Sequence, residues 1–334
     1  MIVGLTYDLR ADYLAAGFGE EETAEFDRPD TIDAIEAAIR QLGHTTERIG
    51  HVRRLVDKLA AGERWDLVFN IAEGLYGYAR EAQVPALLDA YSIPYTFSDA
   101  LVMALTLHKG MTKRVLRDLG VHTTDFRVVE SAADVEGVDL RFPLFVKPVA
   151  EGTAKGITAQ SRVTNKAELA AQCGRIHQLC RQPALVEPFL PGREFTVGIT
   201  GTGSAAVALG TMEVVLRSSA ETFAYTYVNK EQSEERVDYP LVDGPLAAEA
   251  EALSLATWRG LGCRDAGRVD LRADADGRLA VMEVNPLPGM HPQHSDLPIL
   301  CGAVGLPYVE LIRRILDSAQ PRVDANSPRT ESTC

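Results

Sequence analysis

Two hydrophobic periods alternate through the N-terminal third of the chain. Ile2–Tyr7 is an apolar run that predicts a strand, and Trp65–Ile71 (WDLVFNI) reads as a buried one. Between them, Ile32, Ile35, Ile39 and Leu42 keep helical spacing, with Asp30 placed to cap the helix and Gly43 to stop it. A helix over Glu81–Tyr91 and the short run Ile93-Pro94-Tyr95-Thr96 continue the pattern. Strand, helix, strand, helix predicts a parallel α/β layer covered on both faces.

The pattern then changes. A long helical segment, Ser98–Leu119, leads to a strand over Phe142–Pro148 (FPLFVKP), a glycine-bounded loop Glu151–Gly156 and a return strand Ile157–Val163. A helix over Lys166–Leu179 and a strand over Ala184–Phe189 close this region. Strand-like Glu194–Thr200 and Ala205–Val215 open the next, followed by an irregular polar stretch, a helix over Leu246–Leu261 and a hairpin over Gly267–Asn285. A last helix, Tyr308–Ser318, precedes a polar tail expected to be disordered. The fold class is mixed α/β (α+β), divided as 1–103, 104–190, 191–318 and a tail 319–334.

Composition removes several classes of function. With 46% apolar and 24% charged residues, the 334-residue chain is globular and large enough for two or three domains. Its 34 basic and 47 acidic side chains give −13 with no local basic patch, which speaks against nucleic acid. No apolar run approaches the roughly 18–20 residues of a membrane span. The N-terminus has neither a basic leader region nor a small-residue cleavage site, and the five cysteines form no C-x-x-C pair. A reduced, cytoplasmic protein is expected, with Cys173 and Cys180 as buried free thiols. Eight carboxylates between Glu20 and Glu36, offset only by Arg28, read as a solvated face.

The hairpin carries the most chemistry. GRVDLRA and RLAVMEVN alternate apolar and polar residues around Asp276-Gly277, a two-residue turn signal. Pairing Ala275 with Arg278 sets Asp270 opposite Glu283 and Arg268 opposite Asn285, all four on one face, with Val269, Leu271, Met282 and Val284 on the other. Two carboxylates and an amide oxygen make a hard-oxygen site suited to Mg²⁺ carrying phosphates. An exposed cross-strand charge face is the alternative; the asparagine running into Pro286-Leu287-Pro288-Gly289 favours the metal. Lys147 ends PLFVK beside the loop EGTAKG, the arrangement by which a cation and backbone N–H groups meet phosphate oxygens, although a strand-terminal lysine is more often solvated. Lys109, with Lys113 one turn later, says little alone. Neither a G-x-x-x-x-G-K-[ST] loop nor G-x-G-x-x-G occurs.

In order, Lys109, FVKP with Lys147 and its glycine loop, LVEPFLPGREFTV, GRVDL and MEVNPLPG resemble the ATP-grasp superfamily, and within it the D-alanine–D-alanine ligases. The resemblance covers roughly Trp65 to Leu316. It implies an ATP-grasp fold, a Rossmann-like N-terminal α/β domain plus two subdomains that close on ATP. It implies ligation of a small carboxylate to an amine, both amino-acid-like, through an acyl phosphate, in a protein able to dimerise through its N-terminal domain.

Carried over by position, the resemblance implies that Lys109 and Lys147 hold ATP phosphates with the loop at Thr153 closing over them. Glu187, Phe189 and Leu190 border the adenine largely through backbone groups, Glu194 binds ribose and Met282 touches the base. Asp270, Glu283 and Asn285 coordinate two Mg²⁺ ions, with Mn²⁺ as a substitute. Lys230 contacts the transferred phosphate, Arg268 stabilises the tetrahedral intermediate, and Ser295 with the Gly289 backbone binds the acceptor carboxylate. His291 and His294 flank Ser295 as candidates for substrate contact or proton transfer, although loop histidines are more often solvated.

The chain departs from the ligase pattern at the donor end. Glu73 stands for the expected histidine, the acidic pair that follows it is missing, and Tyr7-Asp8-Leu9-Arg10 replaces the N-terminal glutamate motif. The serine-rich glycine loop has become Gly152-Thr153-Ala154-Lys155-Gly156, and Glu231 follows Lys230 where a tyrosine is expected. Glu73, Tyr76, Arg80 and Glu81 then suggest a donor of different charge or size. The competing readings are a D-alanine–D-alanine ligase with a divergent donor pocket, a non-catalytic nucleotide-binding protein, and a kinase that releases the phosphorylated product.

Overall fold

The computed structural model describes residues 1–217 and 236–326. In the N-terminal domain, β1 (Ile2–Thr6) lies between β2 (Thr45–Gly50) and β3 (Leu67–Asn70), all parallel. Helix α1 (Arg10–Ala15) follows β1, and α2 (Pro29–Gln41) covers one sheet face, burying Ile32, Ile35 and Ile39. Helices α3 (Val52–Ala60) and α4 (Gln83–Ala90) bury Leu55, Leu59, Val84 and Leu88 on the other. The cap of α2 is Arg28, not Asp30: Pro29 starts the helix with the fixed φ that its first position favours, and Asp30 sits in the first turn.

The expected long helix is two. α5 (Ala100–Leu107) and α6 (Lys109–Asp118) part at His108, whose ring accepts the N–H of Met111 at 3.2 Å. The break frees the Lys109 N–H for the Val149 carbonyl, 2.9 Å away. The following antiparallel sheet is ordered β4-β7-β5-β6, from β4 (Arg127–Val129), β5 (Leu144–Pro148), β6 (Arg162–Val163) and β7 (Ala184–Pro188). Helix α7 (Lys166–Cys180) packs Leu169, Cys173 and Ile176 onto it. The return strand is reduced to β6 because Ala159–Ser161 form a short 3₁₀ turn capped by Thr158.

A second antiparallel sheet is ordered β12-β9-β8-β13-β14. It joins β8 (Glu194–Thr200), β9 (Val207–Glu213), β12 (Leu241–Val242), β13 (Ala266–Ala273) and β14 (Leu279–Asn285), while β10 (Val215–Leu216) and β11 (Val237–Asp238) pair separately. Helix α8 (Gly244–Leu261) covers one face, where fully buried Trp258 meets Val269, Leu271 and Val284. Helix α9 (Asp296–Ala303) crosses the other at Gly198 and Gly210, where a Cβ would meet Leu297 or Val304 at 3.0 Å.

The last helix, α10 (Tyr308–Asn326), runs past Ser318, so the first part of the expected tail is ordered. Its Leu311, Ile312, Ile315 and Ala319 complete the N-terminal core. Arg322 donates to buried Asp265 and to the Tyr95 carbonyl, and Ser318 Oγ donates to Asp265 at 2.8 Å. Among the described residues no helix is long and apolar enough to cross a membrane, and Cys173, Cys180, Cys263 and Cys301 are free thiols.

Candidate active site

The hairpin pairs Asp270 with Glu283 and Arg268 with Asn285, as the alternation predicts, but not by the expected turn. The tip is a longer loop: the Asp274 N–H donates to the Arg278 carbonyl at 3.0 Å, and Gly277 takes φ +84°. Leu271 therefore faces Val281, and a bulge at Met282 restores the frame before Glu283. Val281 and Val284 are buried while Met282 and Glu283 are both half-buried. The bulge breaks the strict alternation by which Met282 would face away from Glu283.

On that face β8 adds Thr196, whose hydroxyl donates to Asp270 Oδ1 at 2.9 Å. Arg268 Nη1 and Asn285 Nδ2 both donate to Asp270 Oδ2 at 3.0 Å. Arg268 also lies 3.4 Å from Asp296 at the start of α9, brought there by the close approach over Gly198. Ser295 abuts Gly289, where an added Cβ would stand 2.7 Å from Ser295 Oγ.

The lysines form a second group. Glu187, fully buried, accepts ion pairs from Lys147 at 2.8 Å and Lys113 at 2.9 Å, and a hydrogen bond from Thr124 at 3.0 Å. Burial opposes its ionisation, yet the two ammonium groups bring its pKa down to about 2. Burial likewise lowers Lys113, whereas Glu187 and Glu283 outweigh it at Lys147 and raise that pKa. Lys109 lies 3.0 Å from Glu283 and donates to the Glu151 carbonyl. Against burial, Lys109, Lys147 and Arg268 hold Glu283 below the ordinary carboxylate range. Lys113 therefore has a place that its sequence position gave no sign of.

Phe189 sits between two guanidinium groups, with Arg162 5.1 Å and Arg272 5.4 Å from its ring centre. Leu190 is buried beside it in sequence, and Glu194 pairs with Arg272 at 3.2 Å. Lys230 lies outside the described residues.

A cavity of about 590 Å³ lies between the polar face of the hairpin and the N-terminal domain; Lys109, Lys147, Glu187, Phe189, Leu190 and Glu194 are not among its lining residues. Thr153, Arg268, Glu283, Asn285, Gly289 and Ser295 line it; so do His291 and His294. His291 Nδ1 accepts the backbone N–H groups of Gln293 and His294 at 3.1 and 3.2 Å, and Nε2 faces Asp30 at 3.2 Å. Burial depresses its pKa, which suits a neutral ring that donates to Asp30.

The acidic stretch is not only a solvated face. Glu25 and Asp27 line the same cavity. Glu25 pairs with Arg80 at 3.1 Å and Lys155 at 2.8 Å and accepts the Gly152 N–H at 2.6 Å. Composition could not reveal this; the basic Lys155 inside EGTAKG was the one available hint. Of the residues marked as an altered donor pocket, Glu73 and Glu81 line the cavity and Arg80 is buried beside it, whereas Tyr76 is 63% exposed. Thr153 and Ala154 hold φ +48° and +54°, with the Lys155 N–H donating to Gly152 at 3.0 Å. Two non-glycine residues in left-handed conformation give this loop backbone strain.

The pattern of the D-ala D-ala ligase C-terminus family matches residues 115–317. The chain is 36% identical over 284 residues to a D-alanine--D-alanine ligase of Bordetella petrii, covering 84% of this chain and 82% of that one. It is 31% identical over 284 residues to the D-alanine--D-alanine ligase of Aquifex aeolicus, with 85% and 92% covered. The crystal structure of the Bacillus anthracis D-alanine--D-alanine ligase complexed with ATP superimposes with a TM-score of 0.72. It is 23% identical and covers 98% of this chain and 100% of that one, a likeness of fold.

Proposed function

This chain belongs to the D-alanine–D-alanine ligase family and is an ATP-dependent, amide-forming ligase of ATP-grasp fold, and we propose that it joins two amino-acid-like substrates through an acyl phosphate. The observation that carries the reading is continuity. Gly289, Ser295, Arg268, Glu283 and Thr153 line one cavity, and the Lys109–Glu283 pair ties it to the buried lysines.

In this reading Lys109 and Lys147 bind ATP phosphates, and the loop at Thr153 excludes water once closed. Phe189, Leu190 and Met282 border the base, Glu187 offers its backbone there while its side chain orients Lys147, and Glu194 meets the ribose. Asp270, Glu283 and Asn285 are hard-oxygen donors on one sheet face, and Glu283 is held ionised, so the set fits Mg²⁺. Bound there, Mg²⁺ would neutralise phosphate charge during transfer. Arg268, permanently charged, faces the oxyanion formed when the amine attacks, and Ser295 with the Gly289 backbone holds the acceptor carboxylate. Lys230 is assigned to the transferred phosphate by family position. Family position likewise suggests a cytoplasmic homodimer.

The test is incubation with Mg-ATP and a panel of D- and L-amino acids, following ADP and product mass together. Amine-dependent ADP release with a product of combined mass is expected, and a D-alanyl-D-alanine mass would identify a cell-wall ligase. ATP binding without ADP from any pair would overturn the ligase assignment in favour of a nucleotide-binding protein. A phosphorylated acid formed without amine would instead identify a kinase.

A further inference from the structure

Asp27, Glu73 and Glu81 all line the cavity and lie near enough that Glu73 feels the charge of the other two, forming one acidic wall contributed by the N-terminal domain. Glu81 is 9% exposed, and no hydrogen bond or ion pair reaches its carboxylate among the described residues. The side chains of Asp27 and Glu73 have none there either.

The cations nearby are committed elsewhere. Arg80 pairs with Glu25 at 3.1 Å and Glu151 at 3.5 Å and donates to the Ala150 carbonyl at 2.9 Å. Lys155 pairs with the same two acids at 2.8 and 2.7 Å. Those four charges cancel. Lys109 is held by Glu283 at 3.0 Å, and Arg10 pairs with Glu20 at 2.7 Å. Among the described residues, the wall's three carboxyl groups are left with no cation in hydrogen-bond or ion-pair contact.

Burial raises all three, Glu81 to about 8, and neighbouring carboxylates add to it; Arg80 pulls Glu73 and Glu81 back only in part. Each therefore gains by meeting a positive charge, because an ionised buried carboxylate costs more unpaired than paired. An amino acid with a neutral side chain brings a single ammonium to this wall.

We propose that the donor substrate is a basic amino acid, whose side-chain amine or guanidinium binds the Asp27–Glu73–Glu81 wall along with its α-ammonium. This rests on the ligase reading above, because the donor carboxylate is then the group directed toward Arg268 and the ATP site. The chemical class is a diamino or guanidino acid, and the sites of bond formation are unchanged.

The full-length chain, loaded with Mg²⁺ and a non-hydrolysable ATP analogue, is titrated calorimetrically with both enantiomers of 2,3-diaminopropionate, ornithine, lysine, arginine, alanine and serine. At least one basic amino acid is expected to bind tenfold or more tighter than alanine and serine. Glu81→Gln is expected to lower that basic-to-neutral ratio at least tenfold, with Glu73→Gln as the second variant should the first fail to fold. Equal or tighter binding of neutral amino acids, no binding of any basic one, or an unchanged ratio in the folded variants would overturn the proposal. Turnover separates the two readings. Ligation of neutral donors only would leave the ligase standing and sink the basic donor, whereas tight basic binding without ADP from any pair would sink the ligase and leave the acidic wall as a binding site for basic amino acids alone.

Discussion

Glu25 accepts the backbone N–H of Gly152 at 2.6 Å, so a carboxylate of the N-terminal domain holds the first glycine of the loop that lines the cavity. The same carboxylate is the shared partner of Arg80 and Lys155. Glu25→Gln leaves two cations facing only Glu151, and breaking a buried pair this way costs about 3 kcal/mol or more. Urea unfolding of the variant is expected to show a loss of that size.

Acid should act through the same group. Lysine and arginine partners outweigh burial and hold Glu25 and Glu187 at about 2, below their ordinary value. Groups so depressed contribute stability that is full above the ordinary glutamate pKa of about 4.3 and is lost as pH falls toward 2. The urea midpoint is expected to fall steeply from pH 5 to pH 2, and less steeply in Glu25→Gln.

Removing Lys147 tests the phosphate assignment. Lys147→Ala leaves Glu187 its second partner, Lys113, so the fold should persist. The KM for ATP is expected to rise at least tenfold, about 1.4 kcal/mol, with a smaller effect on the amino-acid KM values.

Arg268→Lys keeps a charge but loses the planar guanidinium whose Nη1 meets both Asp270 and Asp296. A fall in kcat on the order of 10²-fold is expected, with KM for ATP moving less than threefold. Equal losses in kcat and in ATP binding would instead place Arg268 at the nucleotide.

Gly289→Ala puts a methyl group 2.7 Å from Ser295 Oγ, which must then turn away from the His291 N–H it accepts at 3.0 Å. The fold is expected to survive and the acceptor KM to rise tenfold or more, while the ATP KM stays within twofold. Steady-state kinetics with acceptor and ATP varied in turn decides it.

Asp265 is fully buried at φ +65° and receives the Phe97 N–H at 2.7 Å, Ser318 at 2.8 Å and Arg322. It joins the N-terminal domain, β13 and α10. Asp265→Ala is expected to cost about 3–5 kcal/mol, and truncation after Ser318 to cost a comparable amount, both read by denaturant melts.

The paired charges of the hairpin were legible because alternation alone fixes which side chains share a face. The tip was not, since Asp-Gly suits both a two-residue turn and a longer loop with glycine left-handed at its end. Glu25 was illegible for another reason: its partner Arg80 lies 55 residues away. Local composition saw only an acidic run. The break at His108 and the order of α10 likewise depend on distant partners, the Val149 carbonyl and Asp265. Local pattern revealed the elements and the order of the motifs; long-range pairing decided where helices stop and which charges are buried.

The bulge at Met282 gives the hairpin two independent halves. The exposed tip at Ala275–Gly277 keeps one phase, and the Asp270–Glu283 end, braced by Thr196, keeps another. Peptide spliced in at Asp276, or new chain ends opened there, would perturb only the outer half. The hairpin thus offers a port for grafting or circular permutation a few residues from its charged face.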